Sequence, residues 1–232
     1  MSAVAKRRER ERAERRDRIL DAAQEVFWRE GFEAAKMGAI AEAAQLGKGT
    51  LYLYFRDKDH LALGLATRHQ MQLLERFGRL EDEHAQAPGL GLLRRLLSGY
   101  ADHMQKPVEH LRMVMTRWAT GAPFDPDTEG CQDAGENVVK IFGTFRDAVI
   151  QAQREGDMPA AIPPERLTTF LFSSLNGALL MRLQISCLDN LEPVSKPLMS
   201  TDEHIDLLLE ACRHLAQSSH IGERRHLENT GR

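Results

Sequence analysis

The sequence predicts an all-α protein. Nearly every segment with periodic hydrophobicity repeats at helical spacing. Alternating strand patterns are scarce and β-branched residues are few. The clear breaks between periodic segments carry Pro or Gly.

The first helix is predicted from about Arg16 to Glu30. Its apolar face is Ile19, Ala22, Ala23, Val26 and Phe27, and Gly31 is its natural C-terminal cap. A short second helix over Met37 to Ala44 buries Met37, Ile40, Ala41 and Ala44. The tight turn Gln45-Leu46-Gly47 leads into a third helix over Lys48 to Phe55. A fourth starts near Lys58 and runs to about His84, with Leu61, Leu65 and Leu73 inward. Pro88-Gly89 marks the first clear break. Further helices are predicted over Leu90 to Gln105 and Val108 to Thr120, followed by a loop over Gly121 to Gly130. Asp133 to Glu155 is helical and ends at Gly156. Pro163-Pro164 opens a helix to about Leu188, since Pro suits a first turn. Asn190 to Ser200 is a linker, and Thr201 or Asp202 caps a last helix to about Ser218.

Composition narrows the class. A chain of 232 residues, 42% hydrophobic, is long enough to bury a core without staples. Its three cysteines, Cys131, Cys187 and Cys212, form no C-x-x-C pair, which argues against a zinc site, and the odd count argues against a disulfide framework. A reducing, cytoplasmic setting is the expectation. Residues 1–18 hold no apolar core of a signal peptide, and the longest apolar stretch, Phe170 to Ile185, is interrupted by Arg182 and other polar residues. No membrane association, metal or cofactor is expected. The net charge of -3 hides an asymmetry: residues 1–20 hold eight basic and four acidic groups. A basic start on an acidic remainder suits a head that faces a polyanion, although a mixed run such as Lys6 to Arg18 is commonly a solvated helix start.

Three short helices joined by tight turns, the third opening Lys48-Gly49-Thr50-Leu51-Tyr52, form a helix-turn-helix pattern. Such a unit lays one helix across a DNA backbone and projects the next into the major groove. Gly47 and Gly49 allow close approach. Lys48, Thr50, Tyr52 and Tyr54 supply polar tips, while Leu51 and Phe55, four apart, anchor the rear. Lys58 sits in the first turn of the fourth helix, where a cation opposes the helix dipole, which points to a phosphate partner.

These residues carry a resemblance. Arg18-Ile19-Leu20-Asp21-Ala22-Ala23, Val26-Phe27, Gly31-Phe32, Met37, Ile40-Ala41, Ala44, Gly47 through Phe55, Lys58 and Leu61 together resemble the TetR family of bacterial regulators over about residues 16–65. The resemblance implies an all-α dimer with an N-terminal three-helix DNA-binding head, here residues 1–60 with a basic arm, and a C-terminal ligand-binding and dimerisation body, residues 61–232. It implies a double-stranded DNA operator and a small-molecule effector as partners. Three positions depart from the family pattern. Lys36 stands where Thr is usual and cannot cap, though it can still meet a phosphate. Gln45 stands where Gly is usual, at a position that calls for positive φ. Gly47 stands where Ser or Thr is usual and remains an acceptable N-cap.

The body is rich in Met, Phe and Trp. At helical spacing such residues are commonly plain core, and the resemblance raises the prospect that some line a cavity. Candidate ligand contacts are Met104, Met113, Arg117, Trp118, Phe142, Phe145, Asn176 and Met181. Asn137 and Gln184 are further polar candidates, whereas His69, His103 and His110 show no metal spacing. The small residues Ser173, Ser174, Gly177 and Ala178 permit close helix packing across a two-fold axis, and the resemblance places dimerisation in helices near 164–188 and 202–218. No G-x-S-x-G, phosphate loop or H-E-x-x-H signature appears, so the reading is a regulator and not an enzyme. The alternative control is a protein partner or cysteine oxidation in place of a small ligand.

Overall fold

The computed structural model describes residues 3–105, 125–186 and 199–230. The helix expected over 108–120, with Met113, Arg117 and Trp118, lies outside the described residues, as do Cys187 and most of the 190–200 linker. The described residues form eight helices: α1 Ala3–Glu30, α2 Met37–Ala43, α3 Lys48–Tyr52, α4 Lys58–Glu83, α5 Gly89–Gln105, α6 Cys131–Arg154, α7 Pro164–Ser186 and α8 Thr201–Thr230. The chain divides into two compact units, Met1–Met71 with Glu109–Asn137, and Gln72–Val108 with Val138–Arg232.

The first unit is built on the apolar residues that the periodicity singles out, joined by Leu20. Ile19, Leu20, Ala23 and Val26 of α1, Ile40 of α2, Leu51 of α3, and Phe55 and Leu61 around the start of α4 are all fully buried in one cluster. Each large side chain so buried contributes roughly 1.5–3 kcal/mol. Gly31 adopts φ 78°, and its N–H donates to the Phe27 carbonyl at 2.9 Å, closing α1 with a left-handed residue. The start of α1 differs from the sequence reading: the helix begins at Ala3, not near Arg16. Arg, Glu and Ala favour helix, and Arg7–Glu11 and Arg10–Glu14 pair one turn apart along it.

The turn after α2 takes the shape that its departure from the family pattern foreshadows. The Leu46 N–H donates to the Ala41 carbonyl and the Gln45 N–H to that of Glu42, both at 2.9 Å, which is a Schellman closure. It forces Gln45 to φ 57°, the one positive φ outside glycine among the described residues. A left-handed non-glycine residue costs roughly 1–2 kcal/mol, part of which glycine returns as unfolded-chain entropy. Gln45→Gly is therefore expected to stabilise the unit by about 0.5–1 kcal/mol, seen as a higher denaturant midpoint at unchanged slope.

α3 is shorter than expected, ending at Tyr52, with Leu53 to Phe55 held in a turn by donation from Tyr54 and Phe55 N–H to the Leu51 carbonyl. Asp57 caps α4 by accepting the His60 N–H at 2.8 Å.

In the second unit, α5 packs against α7 and α8. Arg94 reaches Asp206 through two bonds, of 2.5 and 2.9 Å, and Ser98 Oγ donates to Asp202 at 2.9 Å. Gly89 admits a close approach: a Cβ there would collide with the Ala152 nitrogen, and the Gly89 N–H donates to Glu155. The cap of α8 is Ser200, not Thr201 or Asp202. Its Oγ accepts the Glu203 N–H at 3.2 Å while the Glu203 carboxylate accepts the Ser200 N–H at 2.6 Å, a reciprocal box that the Ser-x-x-Glu spacing encodes. Among the described residues no helix is long and apolar enough to cross a membrane, and no group of three His, Cys, Asp or Glu is placed to hold a metal ion.

Candidate nucleic-acid interface

α3 is a short helix with two unlike faces. Leu51 is fully buried, and so is Phe55 beyond it, whereas Lys48, Gly49 and Tyr52 are exposed. Tyr52 retains 52% of its surface and Leu53, next to it, 78%. Thr50 is half-buried, and Tyr54 packs against the buried cluster, so its ring serves the core more than a surface. Gly47 caps α3 from extended backbone with no side-chain bond, and nothing lies within 4 Å of where its Cβ would stand.

Lys48 bends back over α2. A Cβ on Gly38 would meet the Lys48 Cε at 2.9 Å and Nζ at 3.2 Å. This brings the Lys48 ammonium to the first turn of α2, the turn that exposed Lys36 precedes from extended backbone without a capping bond. That turn holds no acidic residue. The Lys48 ammonium and the positive end of the α2 dipole then stand together, with the exposed residue Lys36 next in the chain, an arrangement suited to a phosphate oxygen. Beside it, Tyr52 offers a hydroxyl and Leu53 an apolar tip. Sequence reading does not single out Leu53; an apolar side chain beside polar tips in a major groove can touch a thymine methyl. An apolar residue standing between the polar-tipped Tyr52 and Tyr54 is the available signal.

Lys58 departs from the expectation of a phosphate partner. Its Nζ donates to the Phe32 and Glu33 carbonyls, each at 2.9 Å, and stands 5.0 Å from the Phe32 ring centre. Backbone oxygens near the end of α1 therefore compensate the cation that the α4 dipole opposes, and Lys58 ties α4 to the α1–α2 connection.

His60, in the first turn of α4, is buried against Phe55 with ring centres 5.1 Å apart. Its Nδ1 accepts the Arg56 N–H at 3.3 Å, and its Nε2 lies 4.0 Å from a Glu129 oxygen. Burial pushes the imidazole below its ordinary range; Glu129 and Asp57 pull it up, and Arg16 and Arg56 push it further down. The folded state thus binds this proton more weakly than the unfolded chain. Its contribution to stability is complete above pH 6.5 and is lost as pH falls through 6.5 toward the lower folded value. The melting temperature should drop between pH 7.5 and 5, and His60→Gln should remove that part of the drop.

Of the ligand candidates, Phe142, Phe145 and Asn176 come together in the second unit. Phe145 is 2% exposed, edge-on to Phe77 at 5.3 Å, Tyr100 at 5.9 Å and Phe172 at 6.0 Å. Phe142 meets Phe172 at 6.3 Å. Asn176 accepts the Tyr100 hydroxyl at 2.8 Å and donates to the Phe172 carbonyl at 2.8 Å, so both ends of its amide are engaged. Burial drives the Tyr100 hydroxyl up to about 12 and keeps it a donor, with the Asn176 bond opposing the shift. Tyr100 is a polar member of this cluster that sequence reading passes over, because its register shows no irregularity. Met104 is half-buried. Met181 does not join the cluster: it is 55% exposed, since it falls on the same outward stripe of α7 as Phe170 and Gly177. Burial pushes the Cys212 thiol up, which disfavours the reactive thiolate.

The comparisons with known proteins meet this geometry at the head. The family model described as bacterial regulatory proteins, tetR family, matches residues 19–65. The HTH-type transcriptional repressor KstR of Rhodococcus jostii is 39% identical over 83 residues, 36% of each chain. The HTH-type transcriptional activator FasR of Mycolicibacterium smegmatis is 29% identical over 148 residues, 62% of this chain and 64% of its own. The chain thus matches about a third of one relative and just under two thirds of the other. The crystal structure of the regulator FadR from Bacillus subtilis in complex with stearoyl-CoA shares the fold, at TM-score 0.60 and 16% identity over 85% of this chain and 97% of that one. The buried anchors and the exposed α3 row thus lie inside the segment that matches the tetR family of bacterial regulatory proteins, and the rest of the chain shares the fold of a solved regulator.

Proposed function

We propose that this protein represses transcription by binding an inverted-repeat operator as a homodimer until an apolar or amphipathic small molecule releases it. The observation that carries the DNA-binding part is the exposed row Lys48, Gly49 and Tyr52 over buried Leu51 and Phe55. Residues 1–60 form the DNA-binding domain and residues 61–232 the effector and dimerisation body. The dimer rests on an outward stripe of α7, Phe170, Ser173, Gly177 and Met181, with Leu207 and Leu215 of α8. These are exposed apolar and small residues at helical spacing, suited to burial against a second copy. The KstR match supports repression as the outcome. The effector site is assigned to the body, whose aromatic and Met residues suit an apolar guest. The stearoyl-CoA held by the structurally similar regulator makes that thioester the first probe.

Release requires that effector and operator each weaken the other by one common factor. Stearoyl-CoA is titrated with and without a duplex that the protein selects. Matching losses of affinity in the two directions support release. Identical stearoyl-CoA affinity with and without operator contradicts release by this probe, even where both partners bind tightly.

A further inference from the structure

The arm of α1 that precedes the buried core is a regular helix, and its arginines fall into two groups. Arg7 and Arg10 pair with Glu11 and Glu14 one turn on. Arg8, Arg12 and Arg15 are exposed, and among the described residues they hold no ion pair or hydrogen bond. Their spacing, four then three, sets them on one stripe of the helix. The same alternation continues through Ile19, Ala22 and Val26, all buried against the head. The face that α1 presents to its own core is therefore carried outward for about two more turns by arginines that find no protein to cover them. Of the acidic residues of the arm, Glu9 and Glu14 lie off this stripe, and Glu11, at its edge, is paired with Arg7. Arg16, where the arm meets the core, stands 5.1 Å from the centre of the Phe55 ring, three residues from exposed Tyr52.

We infer that Arg8, Arg12 and Arg15 form a second contact with duplex DNA, gripping phosphates that flank the stretch read by α3. This rests on the DNA-binding reading above and extends it outward. Three guanidiniums without an ion pair among the described residues, spread over about 10 Å of helix, can each meet a backbone phosphate, and the stripe is continuous with the head that carries α3. Contacts of this kind position the protein and carry no base preference. The arm therefore adds affinity and salt dependence, while sequence choice stays with α3.

The test uses the full chain and a duplex that the wild type selects from a random pool, with long and with trimmed flanks. Arg8, Arg12 and Arg15 are replaced together by Gln, which keeps helix propensity, and in a second variant by Lys, which keeps charge. The Gln variant should flatten the log–log salt slope by about 0.9 for each phosphate that the arm no longer neutralises, about three per protomer. It should also lose footprint protection on the flanks, keep the wild-type base preference, and become indifferent to trimming. The Lys variant should restore most of the slope. Wild-type slope, footprint and flank dependence in the Gln variant overturn the arm contact alone. A wild type that selects no duplex overturns the arm and the DNA-binding reading together.

Discussion

Replacing Lys48 and Tyr52 together by Ala should cost operator affinity roughly a thousandfold while leaving the head folded. Both side chains are exposed, so neither removes core packing, and Leu51 and Phe55 still anchor α3. Removing one side chain that touches a base or phosphate costs about 1–3 kcal/mol. Four such side chains in a dimer, at the low end of that range, come to about 4 kcal/mol, or about three decades. Binding measured by anisotropy, beside helicity and melting temperature, separates the two effects. A tenfold weakening or less with native melting would show that α3 does not hold the operator. The single substitutions should differ in kind. Lys48→Ala should weaken all duplexes, because its ammonium stands at the first turn of α2, where a phosphate is favoured whatever the base. Tyr52→Ala should relax base preference as well.

The second large effect is expected at Gly177. A Cβ at this position of α7 would meet nothing within 4 Å, so a larger side chain is tolerated within one protomer. On the proposed two-fold interface the same side chain would stand against its own copy. Gly177→Glu adds bulk and like charge at the stripe between exposed Phe170 and Met181. The variant should sediment as a folded monomer and bind operator at least about a hundredfold more weakly, since a single head approaches the affinity of nonspecific binding. A Gly177→Glu protein that remains a dimer would place the interface elsewhere.

The head is legible in sequence because its signals are local and stand at fixed spacing. Ile19, Val26, Ile40, Leu51 and Phe55 announce a common core by their periodicity, and they are buried together. The left-handed Gln45 and the uncapped Lys36 are legible for the same reason, as departures from what a turn or a cap requires. What escapes is tertiary. Lys58 looks like a misplaced cation in sequence, and only the fold brings the Phe32 and Glu33 carbonyls to it. Tyr100 and Asn176 lie 76 residues apart, and nothing in either segment announces their bond. Met181 carries the composition of a pocket residue, but its register on α7 turns it outward. The arm looks like a solvated run when its charges are counted without their helical phase; taken at four-then-three spacing, Arg8, Arg12 and Arg15 continue the stripe of Ile19 and Val26.

The central claim is that this chain reads duplex DNA as a symmetric pair of heads. Selection from a random duplex pool at low salt tests it most directly. The expected result is enrichment of an inverted repeat whose half-sites lie about one helical turn, or a small multiple, apart, with affinity falling steeply as salt rises. Enrichment of no duplex, or of one lacking two-fold symmetry, would contradict it.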